Sequence, residues 1–143
     1  MLSILIPVRN ESESLEDVVE YFSRNLVDIS YEVIIINDFS EDDTLKKAES
    51  LFLTNTNFKI LDNKRQGLGG AINLGIKEAK GDYIAIMMAD RSDDIQDLKN
   101  YYNLIISGNY DAILGSRFLK SSKVSDYPYQ KLVLNRLFNY FVS

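Results

Sequence analysis

Oxygen acids, cations and glycines are the residues able to do chemistry in this 143-residue chain, which contains no histidine and no cysteine. That composition removes thiol nucleophiles, His-dependent triads and disulfides, and it leaves any metal to be a hard cation on oxygen ligands. The reactive types gather in five places: Pro7-Val8-Arg9-Asn10-Glu11, residues 37–44, residues 63–71, Ala89-Asp90 with Asp93 and Asp94, and Gly115-Ser116-Arg117-Phe118. Each has an ordinary structural reading. Asp38 and Ser40 can start a helix by accepting from its free N–H groups. Arg9 and Glu11 can be an exposed ion pair, Gly67 to Gly70 a turn with positive φ, and the acidic set around Asp90 a response to a helix dipole. Their joint recurrence is harder to explain in this way.

The clusters fall where hydrophobic periodicity changes. Residues 2–8 read as a buried strand, and Leu15, Val18, Val19, Phe22 and Leu26 then recur at helical spacing, with Asn10 and Glu13 placed as a capping box. The β-branched run 33–36 predicts a strand covered on both faces. A helix over 42–52, capped by Ser40 or Asp42, leads to a short strand over 58–61. Gly67 to Gly70 opens a helix running to Ala79 and stopped by Gly81, and 83–88 follows as the most apolar strand. Ile95, Leu98, Tyr102, Ile105 and Ile106 form a further helix ended at Gly108, before a fifth short strand over 112–114. A last helix over 130–141 would pack Leu134, Leu137, Phe138 and Phe141 inward.

Five βα units without hairpin signals predict a single α/β domain: three layers, with a mostly parallel twisted sheet between helices. Ligands of such sheets bind outside the carboxyl ends of the strands, which is where every polar cluster falls. Two familiar nucleotide motifs do not fit. A dinucleotide fingerprint needs its glycines after the first strand and a last glycine where Ile72 stands, and a P-loop needs Lys-Ser or Lys-Thr where the chain reads Gly70-Ala71-Ile72. A phosphoacceptor receiver domain needs an acidic pair after the first strand, and Arg9-Asn10 stands there.

Taken in order, Pro7-Val8-Arg9-Asn10-Glu11, Asn37-Asp38-Phe39-Ser40-Glu41-Asp42-Asp43-Thr44, Arg65-Gln66-Gly67-Leu68-Gly69-Gly70-Ala71, Met88-Ala89-Asp90 and Gly115-Ser116-Arg117-Phe118 resemble the motif set of inverting family 2 glycosyltransferases. Within that family the chain is most similar to the dolichol-phosphate mannosyltransferase and polyprenyl-phosphate glycosyltransferase branch. The resemblance implies the GT-A fold, a Rossmann-like nucleotide-diphospho-sugar transferase architecture. It also implies sugar transfer with inversion from a nucleotide-diphosphate sugar to polyprenyl phosphate. Family members continue into acceptor-binding segments, so residues 1–143 are expected to be the donor-binding part, incomplete at the C-terminus.

The same resemblance implies roles for individual residues. Pro7, Arg9 and Glu11 would border the nucleotide, Asp38 would hydrogen-bond base or ribose, and the backbone near Ile36 would contact the base. Gly67 and Gly69 would let main chain approach the nucleotide, with Lys64 or Arg65 pairing to phosphate. Asp90 would hold Mg²⁺ or Mn²⁺ and so act at the reaction centre. The family pattern is Asp-x-Asp, whereas Met88 occupies the first position here, and a thioether is a poor ligand for a hard cation. Ser92, Asp93 or Asp94 would compensate, directly or through water. Arg117 would contact donor or acceptor phosphate, and Lys131 and Arg136 would meet a lipid phosphate.

Sixteen basic against twenty-one acidic side chains give a net charge of -5, the wrong sign for holding a nucleic acid. No apolar run approaches the roughly 20 residues that span a bilayer, and the apolar N-terminus lacks the basic start and cleavage site of a signal peptide. The expected location is the cytoplasm, at the membrane surface where the acceptor is a lipid. An incomplete domain exposing apolar surface would also self-associate into a homo-oligomer. Two other readings stand beside this one. Met88 motivates a catalytically silent nucleotide-binding or scaffold domain. A sugar nucleotidyltransferase ranks lowest, because Arg9-Asn10-Glu11 is not a glycine-rich phosphate loop.

Overall fold

The computed structural model of the chain describes residues 1–54, 56–90, 93–115 and 128–142. Its first element, β1 (Leu2–Val8), is buried along its whole length. Its two neighbours are β2 (Tyr31–Asn37) and β4 (Tyr83–Ile86), and β3 (Phe58–Asp62) lies beyond β2, giving a parallel sheet in the order β3-β2-β1-β4. The chain thus builds outward from β1 through β2 to β3, then returns to the other side of β1. A reversal of this kind is the switch point at which parallel sheets open a crevice.

Alternation along the strands loads two cores. Ile4, Ile6 and Val8 of β1, with Val33 and Ile35 of β2 and Phe58 of β3, face Val18, Val19 and Phe22 of α1 (Leu15–Asn25), Ala48 of α2 (Thr44–Thr54), and Ile95 and Leu98 of α4 (Ile95–Ile106). On the other face Leu5, Ile34 and Ile36 meet Ala71 and Leu74 of α3 (Leu68–Glu78). The three-layer expectation holds. Gly75 lets α3 close on the sheet, because a methyl there would sit 3.0 Å from Leu5 and 3.1 Å from Ile36.

The β1–β4 ladder has a definite end. The Met87 N–H donates to the Leu5 carbonyl at 3.0 Å, so the odd residues of β1 face β4. The next donor on that side belongs to residue 7, and proline has none. The even side continues, with Asp38 N–H donating to the Val8 carbonyl at 2.8 Å. Pro7 therefore parts β1 from β4 while β1 and β2 stay joined.

Several expectations are corrected. Residues 112–114 form no strand, and Leu114 is 91% exposed: three apolar residues bury too little to hold an unpaired strand in place. β4 ends at Ile86 and is less buried than β1, with Ile84 and Ile86 exposed. No capping box forms, because Asn10 (φ 58) accepts from Glu41 N–H at 2.8 Å and α1 begins only after Ser14. Asp42 does act as a cap, accepting from Thr44 N–H at 3.0 Å, and Gly108 (φ 77) follows α4 as anticipated. The expected helix at the C-terminus is α5 (Tyr129–Val142), within a separate compact unit of residues 104–143. Leu134, Leu137 and Phe138 are exposed there rather than packed inward. A helix buries its apolar stripe only against a partner.

Gly81 does not terminate α3, which is capped at Ala79. It is glycine for want of room: a methyl would meet the Ser3 nitrogen and hydroxyl at 2.7 Å and the Met1 carbonyl at 2.8 Å. Gly81 N–H also donates to Ser3 Oγ at 2.8 Å. Gly81→Ala should lower stability by about 1–3 kcal/mol in urea denaturation, since the obstructing atoms include backbone. A change below about 0.5 kcal/mol would mean that the turn simply moves aside.

Candidate functional site

Where β1 and β4 part, their carboxyl ends border a cleft of about 260 Å³. The β1 end supplies Pro7, Val8, Arg9 and Glu11, and the β4 end supplies Met88, Ala89 and Asp90. Asp38 from the end of β2 and Leu68 from the first turn of α3 complete the wall. Three carboxylates and one guanidinium, far apart in sequence, thus line one opening. A wider groove of about 650 Å³ between α2 and β3 presents Lys46, Glu49, Lys59 and Asp62, but it lies on the far edge of the sheet from the β1–β4 switch point.

Asp38 is buried and accepts from the Gly67 N–H on both carboxylate oxygens, at 2.9 and 3.0 Å. Asn63 Nδ2 also donates to Asp38 Oδ1 at 2.7 Å, and to the Arg65 carbonyl at 2.6 Å. Gly67 has φ 113, and a methyl at Gly70 would stand 2.1 Å from the Arg65 carbonyl, so glycine is required at both positions. At Gly69 the space is open. The loop is joined to β1 as well: the Gln66 amide, turned with its oxygen inward, accepts from both terminal nitrogens of Arg9 at 3.2 and 3.1 Å.

The β1–α1 and β2–α2 loops are bound to each other. Asn10 N–H donates to Ser40 Oγ at 3.1 Å, Glu11 N–H to Thr44 Oγ1 at 2.8 Å, and Ser12 N–H to Asp42 Oδ2 at 3.2 Å. Lys47 Nζ donates to the Ser12 carbonyl at 2.7 Å. The Thr44 hydroxyl beside Asp42, helped by Ser12, brings that carboxyl down from 3.8 to about 2 against the opposing effect of desolvation. Both loops carry a left-handed residue that is not glycine, Asn10 (φ 58) and Phe39 (φ 59). Asparagine tolerates this conformation, but for phenylalanine it is strained.

Among the residues singled out from sequence, Pro7, Arg9, Glu11, Asp38 and Asp90 line the cleft. Ile36 is fully buried in the core under α3, Gly67 serves as the donor to Asp38, Lys64 and Arg65 are exposed on the neighbouring loop, and Gly69 is exposed in the first turn of α3. Asp93 accepts from Met88 N–H at 2.9 Å, and Asp94 caps α4 through Gln96 N–H at 2.8 Å. Among the described residues no group of three or more acidic side chains is assembled to hold a metal. Ser92 and Arg117 lie outside the described residues, while Lys131 is an exposed residue of α5 and Arg136 belongs to the same helix. Sequence reasoning missed Leu68 and Val8 as wall residues. The former stood within the Arg65-Gln66-Gly67-Leu68-Gly69-Gly70-Ala71 motif, where it was given no role.

The model of glycosyl transferase family 2 matches residues 3–142, and the chain belongs to that family. It is 34% identical over 133 residues to the dolichol-phosphate mannosyltransferase of Pyrococcus furiosus, covering 92% of this chain and 38% of that protein. The dolichyl-phosphate beta-glucosyltransferase of Dictyostelium discoideum is 28% identical over 156 residues, at 99% and 48% coverage. The chain thus spans less than half the length of these relatives. Among solved structures, S. aureus TarS 1–349 in complex with UDP-GlcNAc superposes with a TM-score of 0.63 at 20% identity, over 83% of this chain and 38% of that one. The GT-A architecture is therefore that of the fold. Among the described residues no helix is long and apolar enough to cross a membrane.

Two outcomes are expected. Asp38→Ala leaves the Gly67 N–H without its acceptor and removes one of the acceptors of the Asn63 amide, and should cost about 2–3 kcal/mol in denaturant titrations. Loss of the Gly67 amide's protection from hydrogen exchange should accompany it. Asp42 has a lowered pKa, so its contribution is fully present above 3.8 and is lost as pH falls toward about 2. The stability gap between the wild type and Asp42→Ala, followed by acid titration of the unfolding midpoint, should stay constant at neutral pH and close only in that window.

Proposed function

We propose that the chain is the donor-binding part of an inverting glycosyltransferase that moves a sugar from a nucleoside diphosphate to polyprenyl phosphate. The observation that carries this reading is the cleft at the β1–β4 switch point, where Arg9, Glu11, Asp38 and Asp90 meet. The names of the archaeal and amoebal relatives, both acting on dolichol or dolichyl phosphate, support the acceptor class. A nucleotide-bound TarS structure and an M. tuberculosis glucosyl-3-phosphoglycerate synthase crystallised with Mn²⁺ and UDP support the donor class.

In this mechanism Asp38 and the β1 end hold the nucleoside, and Arg9, steadied by Gln66, offers a planar cation to the diphosphate. Lys64 or Arg65 adds charge from the neighbouring loop. An oxygen of the acceptor phosphate attacks the anomeric carbon as the bond to the donor's diphosphate breaks, and the nucleoside diphosphate leaves with the electron pair. Such an acceptor is already an anion, so no general base is required. Arg117, Lys131 and Arg136 are assigned to its phosphate.

The donor set of the cleft fits a hard cation only in part. Asp38 is committed to Gly67 and Asn63, Glu11 Oε2 accepts from the Ser14 hydroxyl at 2.8 Å, and Met88 adds only a thioether. Asp90 is the carboxylate that would hold Mg²⁺ or Mn²⁺, since such a cation takes oxygen ligands. When bound, the ion supplies charge stabilisation to the departing diphosphate. Met88 in the cleft wall is also the observation favouring a silent nucleotide-binding domain.

One assay separates the two. The chain is incubated with a panel of nucleotide sugars, Mg²⁺ or Mn²⁺ and a polyprenyl phosphate, and release of nucleoside diphosphate is measured. Acceptor-dependent release that falls by about 100-fold or more in Asp90→Ala is the expected result. Nucleotide binding without release would establish the silent domain instead.

A further inference from the structure

We propose that Asp42 and Thr44, neither of which lines the cleft, are positioning residues that hold Arg9 and Glu11 in the geometry that binds the donor diphosphate. The inference rests on the donor-binding reading of the cleft. Thr44 is fully buried, and its hydroxyl has a single proton, which it gives to Asp42 Oδ1 at 2.5 Å. The oxygen is thereby left as an acceptor, and it receives the Glu11 N–H at 2.8 Å. Asp42 is exposed, and its second oxygen takes the next amide, Ser12 N–H, at 3.2 Å. The carboxylate therefore sets the polarity of the threonine hydroxyl, and together they fix two consecutive amides of the segment that follows Arg9.

The residue between Arg9 and Glu11 is held as well. Asn10, in its left-handed conformation, gives its N–H to Ser40 and accepts from Glu41 through its side chain. With both flanking units tied to the β2–α2 loop, the turn has little freedom to let Arg9 or Glu11 swing away from the cleft. Stability alone does not call for this arrangement. A helix cap at α2 needs only the bond from Thr44 N–H to Asp42, whereas the bonds to Glu11 and Ser12 reach a different loop about 30 residues away. Misplacing a binding group by about 1 Å can cost up to about two orders of magnitude.

The capping and positioning roles can be separated by substitution. Asp42→Asn keeps an oxygen for Thr44 but turns an N–H₂ toward the Ser12 amide, so it preserves the cap and breaks the crossing contact. Thr44→Val removes the hydroxyl at nearly constant volume, and Thr44→Ser retains it. Ala48→Gly, inside α2 and away from both loops, is the stability control. The affinity of the full chain for UDP, GDP, ADP and CDP with Mn²⁺ is measured by calorimetry, beside the melting temperature of each variant.

For whichever nucleotide the wild type binds, Asp42→Asn and Thr44→Val should weaken binding by about tenfold or more. Thr44→Ser should return it to within about threefold, and Ala48→Gly should lower the melting temperature with affinity unchanged. If Thr44→Val does not fold, Asp42→Asn decides. Wild-type affinity in both variants, or a loss that Ala48→Gly reproduces at equal destabilisation, overturns the positioning role and leaves the donor-binding reading standing. Failure of the wild type to bind any of the four nucleotides overturns that reading, and this inference with it.

Discussion

The architecture of the site depends on a hydrogen bond that cannot form. β1 is hydrogen-bonded along both edges until its β4 side reaches Pro7, where the ladder lacks a donor, while its β2 side continues to the contact between Val8 and Asp38. A parallel sheet has to open somewhere if a ligand is to reach the ends of its strands. Here the opening falls at the switch point between β1 and β4. Each described residue of the cleft wall ends or follows one of the parted strands, or leans into the gap from the β2 and α3 side.

An opening of that kind would be loose if the surrounding loops were held only by their own ends. Two sets of bonds prevent this. A buried carboxylate, Asp38, gathers the Gly67 amide and the Asn63 side chain and so fixes the β3–α3 loop, and Asp42 with Thr44 fixes the β1–α1 turn. The cost is visible in the backbone, where Phe39 occupies a conformation that a bulky side chain disfavours, between the residue that accepts from Gly67 and the one that accepts from Asn10. Strain of this sort persists when its neighbours over-determine it, and it is concentrated at the candidate site rather than in the core.

How much of this was legible in the sequence depended on whether periodicity carried it. β1 and the apolar faces of α1 and α4 were readable because burial imposes a period of 2 or 3.6 on side-chain type. The convergence of Asp38 and Asp90 followed from the rule for strand ends. Side-chain-to-backbone bonds between loops have no period, so the pairing of Asn10 with Ser40 and of Thr44 with Glu11 left no trace beyond polar residues in places that also suit caps. Glycine was ambiguous for the same reason. Gly81 and Gly70 are required by the closeness of Ser3 and Arg65, which only the fold creates, whereas Gly108 stands in the familiar position after a helix. The segment 112–114 and the apolar face of α5 failed in the opposite direction: their patterns were correct for burial, but burial needs a partner, and that is not written in the segment itself.

The electrostatics of the cleft bear on how a charged donor could be held by a chain with a net charge of -5. Among the described residues that line the opening, three are carboxylates and Arg9 is the one cation. An anionic diphosphate entering alone would meet more negative than positive charge, and a divalent cation entering alone would find Asp38 already committed to the protein. Together the two would bring nearly compensating charges. On the donor-binding reading, metal and nucleotide are therefore linked ligands, each raising the affinity for the other by the same factor.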